Sequence, residues 1–191
     1  YRVQGRDGSL KLTVFDTHAA QGSWADAVAL AEQEGDVPQV DAVRRTRDRL
    51  GASLNLQQKI SSDLGLFARA GWADGRLQGY SFSDIDRTVA GGVSLNGRAW
   101  GREDDTVGIG GALNFASADF TTYLNKGGLG LVIGDGQLPH PGAEGIVEAF
   151  YEWAFSDAVQ ATFDYQLVNN PGYNRDRGPV SLFALRLHAA L

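Results

Sequence analysis

Residues 46–60 read TRDRLGASLNLQQKI. The even positions carry Leu50, Ala52, Leu54, Leu56 and Ile60; the odd positions carry Arg47, Arg49, Gly51, Ser53, Asn55, Gln57 and Lys59. Alternation of this kind marks a strand with two different surroundings. A half-buried strand of a soluble protein usually runs only about 5–6 residues. A strand that crosses a bilayer needs roughly 9–11, apolar toward lipid and polar toward the interior. The length of this stretch favours the second kind.

The pattern recurs outward from it in both directions. Ser9–Asp16 sets Leu10, Leu12 and Val14 against Lys11, Thr13 and Phe15. Leu64–Ala73, Ile85–Ala99, Thr106–Ala116, Ile146–Phe155, Ala158–Val168 and Val180–Leu191 all alternate in the same way. Eight strands joined by hairpins are expected, an all-β up-and-down antiparallel barrel of the transmembrane kind. The connections alternate too: Thr17–Asp41, Asp74–Asp84, Ser117–Gly145 and Asn169–Pro179 are long, while Ser61–Asp63, Trp100–Asp105 and Ser156–Asp157 are short. In a meander every second connection lies on the same rim, so one rim collects the long loops, as in outer-membrane barrels. Trp100, Trp153 and Phe155 fall beside the short turns, and Trp72 and Tyr80 beside the long ones. These positions suit two interfacial belts.

Residues 1–191 are read as a single barrel region with two elaborations, a helical insert near 22–34 and a long loop at 117–145. Ser23 is a suitable N-cap, Trp24, Val28 and Ala31 recur at helical spacing, and Gly35 ends the run. The acidic residues of this helix, Asp26, Glu32 and Glu34, are expected on a solvated face. If the helix folds inward, it narrows the passage near Arg47 and Arg49.

Composition narrows the function classes. The chain has 191 residues, a net charge of −6 and no cysteine. The charge argues against nucleic acid as a partner, and a cysteine-based metal site is excluded. No apolar run approaches the roughly 18–20 residues of a membrane helix. The chain begins at Tyr1 with neither Met nor a signal peptide, so a processed product or a fragment is expected. Catalysis has little support: His18, His140 and His188 stand on separate elements. Glu148 and Glu152 lie about 13 Å apart by strand rise, too far for a glycosidase pair. No cofactor is expected.

Parity also yields the side chains of the inner face. Arg47, Arg49, Arg69, Arg98 and Arg186 supply positive charge; Glu148, Glu152 and Asp164 supply negative charge; Asn55 and Asn96 add amides. Phe67 and Phe150 share that parity and suit stacking on the apolar face of a sugar ring. Two uses of the charges stay open: hydrogen bonding to a passing solute, or Arg–Glu pairing that only shapes the wall.

Several stretches are similar to the carbohydrate-selective porins of the OprB type: DLGLFARAGW (63–72), DIDRTVAGGVSLNGRAWGREDDTVGIGGALN (84–114), YLNKGGLGLVIGDGQL (123–138) and DYQLVNNPGYNRDRGPVSLFALRLHAAL (164–191). The most specific parts are the turn Gly101–Thr106 and the loop Asn170–Asn174. The resemblance implies the C-terminal half of a roughly 16-stranded barrel in the bacterial outer membrane. It also implies outer-membrane lipid and small carbohydrate solutes as partners, and a homotrimer. Two departures stand out. Only about eight strands are supplied, and the last residue is Leu191 rather than the Phe that ends many barrels. A small self-closed eight-stranded barrel of structural or adhesive role, without conductance, is the competing reading, and a soluble eight-stranded ligand carrier is a third.

Overall fold

A computed structural model describes residues 1–79, 84–130 and 137–190. Its strands are β1 (Arg2–Val3), β2 (Arg6–Gln21), β3 (Arg45–Lys59), β4 (Leu64–Ala73), β5 (Arg87–Gly97), β6 (Arg102–Phe115), β7 (Glu144–Ser156), β8 (Val159–Asn169) and β9 (Val180–Ala189). They form one antiparallel sheet in sequence order. The eight expected strands become nine because a two-residue bridge, β1, precedes the first long one. Among the described residues β9 does not pair back onto β1 or β2, so the sheet is open.

Register carries the alternation across the whole sheet. Leu12 faces Leu54, Leu54 faces Ala70, Ala70 faces Val89 and Val89 faces Leu113. All of these lie on one face, and that face has no covering layer. Val14 is 70% exposed, Val89 57% and Val147 48%. A water-soluble sheet would bury such a surface; in a bilayer it meets acyl chains.

The buried core lies instead in the long connections. Helix α1 (Trp24–Glu34) and helix α2 (Ala118–Asn125) pack through Trp24, whose ring centre lies 4.6 Å from that of Phe120 and 4.8 Å from that of Tyr123. Ala27, Val40, Leu124, Leu138 and Tyr173 complete the cluster. Helix α1 begins and ends as its sequence requires. The Ser23 hydroxyl accepts from the Asp26 amide at 3.2 Å, and Gly35 takes the left-handed conformation at φ 70°, where a Cβ would be strained.

Three expectations change. The start of the long loop at 117–145 is not irregular but forms α2, and Ser117 caps it. Strand β6 starts at Arg102, so the compact turn is Arg98–Gly101 rather than Trp100–Asp105. Strand β2 runs on to Gln21, several residues past Asp16, because its pairing with β3 continues as far as Arg45. Tyr80 and Leu191 lie outside the described residues. No described helix is long and apolar enough to cross a membrane.

Candidate functional site

The face opposite the apolar one is polar, and its centre is paved with small residues. Across β5 and β6, Ala90 faces Ala112, Gly92 faces Gly110 and Ser94 faces Gly108. Phenylalanines from the flanking strands lie flat on this floor. A Cβ built on Gly108 would come within 2.6 Å of Phe150 Cζ, and one on Gly92 within 2.7 Å of Phe67 Cε1. Phe15 covers Gly51 in the same way. Each ring is the cross-strand partner of its glycine. Because no Cβ stands at the glycine position, an aromatic ring can lie against the wall instead of standing into the interior.

Charged groups surround these rings. The Arg69 guanidinium lies 5.4 Å from the centre of the Phe67 ring, and Arg69 pairs in register with Asn55. Glu148 accepts from Gln166 Nε2 at 3.1 Å. Asp164 is the register partner of Phe150, Glu152 of Thr106 and Thr162, and Arg186 of Thr162. A ladder runs beside them toward the long-loop rim: Thr88 donates to Asn114 at 2.8 Å, and Asn114 to Glu144 at 3.2 Å.

Four of the residues expected on this face have structural duties instead of free side chains. Arg98 belongs to the turn between β5 and β6, where it meets Asp63 at 3.4 Å and Glu103 at 3.8 Å. Asn96 shapes the same turn, accepting from the Arg98 amide at 2.9 Å. Arg98 thus lies in the turn itself, and Asn96 lies near the end of β5, opposite Thr106. Arg47 is joined to Asp26 of α1, which Arg45 also approaches at 3.4 Å. Asp26 is therefore a tether, while Glu32 and Glu34 lie on the exposed surface as expected, Glu32 pairing there with Lys126 at 3.0 Å. Arg49 donates to the Asp74 carbonyl at 2.9 Å and to Asp86 at 3.3 Å.

Asp86 is the residue that reading the sequence missed. Its buried carboxylate accepts from Arg49 and, at 2.8 Å, from the Ser117 amide that opens α2. Burial raises its pKa above the ordinary carboxylate value, against the pull of these donors. Asp74 is shifted downward, mainly by hydrogen bonds from Arg76. Tyr173, inside the Asn170–Asn174 loop, is pushed upward by burial and donates to the Asp84 carbonyl at 3.0 Å. Extending the β3–β4 register from Gly51–Ala73 by two residues brings Arg49 opposite Gly75, beside Asp86. That arithmetic was the available signal.

The Gly101–Thr106 motif is a latch on the short-turn rim. Asp105 is 1% exposed and accepts from Arg102 Nη2 at 3.0 Å, from the Ala154 amide at 3.0 Å and from the Tyr151 hydroxyl. Trp100 Nε1 donates to the same Tyr151 hydroxyl at 3.2 Å, and Arg102 lies 5.4 Å from the Trp153 ring centre. No group of metal-ligating side chains occurs among the described residues.

A family model described as carbohydrate-selective porin, OprB family, matches residues 4–191. A solved structure of OprB from Pseudomonas putida, determined at high pH, superposes with a TM-score of 0.80 at 17% identity. The match covers 99% of this chain and 46% of that one, so the chain spans about half the length of the structure it resembles. No curated protein matches it.

Proposed function

The chain belongs to the OprB family of carbohydrate-selective porins, an outer-membrane family, and from that membership we propose that it forms one side of a channel through which small sugars diffuse passively. The observation that carries this reading is the two-sided sheet. An uncovered apolar face and a polar face bearing Arg69, Glu148 and Asp164 lie back to back through the same strands. Near the bilayer midplane a charge facing lipid costs about 2–4 kcal/mol, so such residues belong on the water side.

On that side, Phe67 and Phe150 offer flat apolar plates, and Arg69, Asn55, Glu148, Glu152, Asp164 and Arg186 offer hydrogen-bonding groups beside them. A pyranose has an apolar face and a hydroxyl rim, and this arrangement suits both. Exchanging water for amide and guanidinium partners changes the free energy little, which suits transit rather than storage. The layer built from α1 and α2 lies over the same face through the Asp26–Arg47 contact, and it narrows the entrance at the long-loop end. The rest of a roughly 16-stranded wall comes from another stretch of the protein, and the assembled porin is a homotrimer.

The competing self-closed barrel would need β9 to pair with the first strands. Instead β9 is exposed along its whole length and the sheet stays open among the described residues, which favours the larger wall. The full-length protein in a planar bilayer is expected to give steady open channels whose current small sugars partly block. Absence of conductance would end this reading.

A further inference from the structure

Charges are rare on the lipid-facing parity. Asp16, His18 and Asp48 lie at the far ends of β2 and β3, where His18 and Asp48 pair with each other, and Glu103 and Asp105 lie at the start of β6, paired with Arg98 and Arg102. Arg87 is different. It opens β5 in register with Trp72 on one side and Phe115 on the other. Its guanidinium is 5.9 Å from the centre of the Phe115 ring, and among the described residues no carboxylate pairs with it. Immediately on the short-turn side of Arg87, a trough of ≈ 410 Å³ is walled by Leu12, Leu54, Trp72 and Val89, with Ala52 and Ala70 in its floor.

The two features complement one another. The position is at the rim, where the cost of a lipid-facing cation fades and aromatic side chains meet headgroups. A guanidinium without a carboxylate offers a planar fork that matches phosphate. The trough below it is apolar and open along the strands, the shape of an acyl chain. We propose that Arg87 and this trough hold a phosphorylated lipid of the leaflet on the long-loop side, with its phosphate on the guanidinium and one acyl chain over Ala52 and Ala70. The inference needs the apolar face to meet lipid but makes no use of the sugar path.

The test uses the full-length porin in detergent micelles. Native mass spectrometry reads its binding of bisphosphorylated lipid A, of the same lipid with its phosphates removed, and of inorganic phosphate. The phosphorylated lipid is expected to bind about tenfold more tightly than the dephosphorylated one. Arg87→Glu should abolish that preference, Arg87→Lys should keep part of it, and Ala70→Phe should weaken both lipids by filling the trough. Inorganic phosphate alone should bind poorly. Equal binding of both lipids by the wild type, or an unchanged preference in Arg87→Glu, would overturn the proposal. So would a change in oligomer mass in Arg87→Glu with lipid binding unmoved, which would make this face a protein contact. Sugar-blocked conductance of Arg87→Glu is expected to match wild type, so failure of the lipid site leaves the channel reading standing.

Discussion

The Arg49 guanidinium reaches the Asp86 carboxylate at 3.3 Å, with the two side chains only 12% and 9% exposed. This contact ties the wall to the loop layer, because Asp86 also accepts from the amide that starts α2. Removing one partner of a buried pair leaves the other uncompensated. Arg49→Ala is expected to cost about 3 kcal/mol, read as a lower urea midpoint of the refolded porin. Asp86→Asn should cost less, since burial already works against the charge. The double variant should be milder than the sum of the two, and a double-mutant cycle checks this.

Asp86 and Asp74 respond to acid in opposite senses. Because the folded Asp86 carboxyl titrates above its ordinary 3.8, the folded layer binds that proton at a higher pH than the unfolded chain. Acidification down toward 3.8 therefore adds stability through Asp86. Asp74 titrates below 3.8, so its contribution is complete above that value and disappears as pH falls through the lowered one. Cleavage of the long connections by an acid protease should slow slightly on approach to 3.8 and speed up below it. Asp86→Asn should remove the slowing and Asp74→Asn the acid loosening.

The glycines under the aromatic rings divide into two kinds. At Gly108 the obstacle to a Cβ is the Phe150 ring, which can lift away. At Gly92 it includes the Ile109 carbonyl at 2.6 Å and the Gly110 Cα at 2.8 Å, both backbone. Gly108→Ala should fold, push Phe150 into the passage and lower single-channel conductance. Gly92→Ala should cost about 1–3 kcal/mol and reduce refolding yield.

Phe67 is expected to act on solute affinity rather than on stability. Phe67→Ala should weaken sugar block of the ion current by about three- to tenfold, the range of one aromatic contact. Phe67→Tyr should leave it near wild type. Titrating sugar against current noise in planar bilayers measures both.

Asp26 neutralises part of the cluster formed by Arg45 and Arg47 at the long-loop end of β3, which the proposed channel places at its entrance. Asp26→Asn should free Arg45 and Arg47 and shift selectivity toward anions, seen as a change in reversal potential across a salt gradient. If the potential does not move, the Asp26–Arg47 contact lies off the permeation path.

Parity alone was enough to place Leu54, Val89, Val147 and Phe163 on one uncovered face, because a period of two survives in any long strand whatever surrounds it. The capped helix Trp24–Glu34 was equally legible, since Ser23 and Gly35 act locally. Helix α2 was not. It has eight residues, too short to persist alone, and it is held by Phe120 and Tyr123 packing on Trp24 from a distant loop. The charged run Arg102–Asp105 reads as a turn until Tyr151 and Ala154 on the neighbouring strand supply its partners. The duties of Arg47, Arg49 and Arg98 were hidden for the same reason. Parity tells which way a side chain points but not which carboxylate from another loop will meet it.

The cluster of Trp24, Phe120, Tyr123, Leu138 and Tyr173 has a kinetic consequence. In the proposed channel this layer is a vestibule with a dry interior of its own, and it loses its conformational freedom once, as the protein folds. It need not be reorganised for every molecule that enters. Flux through such an entrance should rise in proportion to solute concentration until the inner contacts saturate, without the lag that an opening and closing gate would impose.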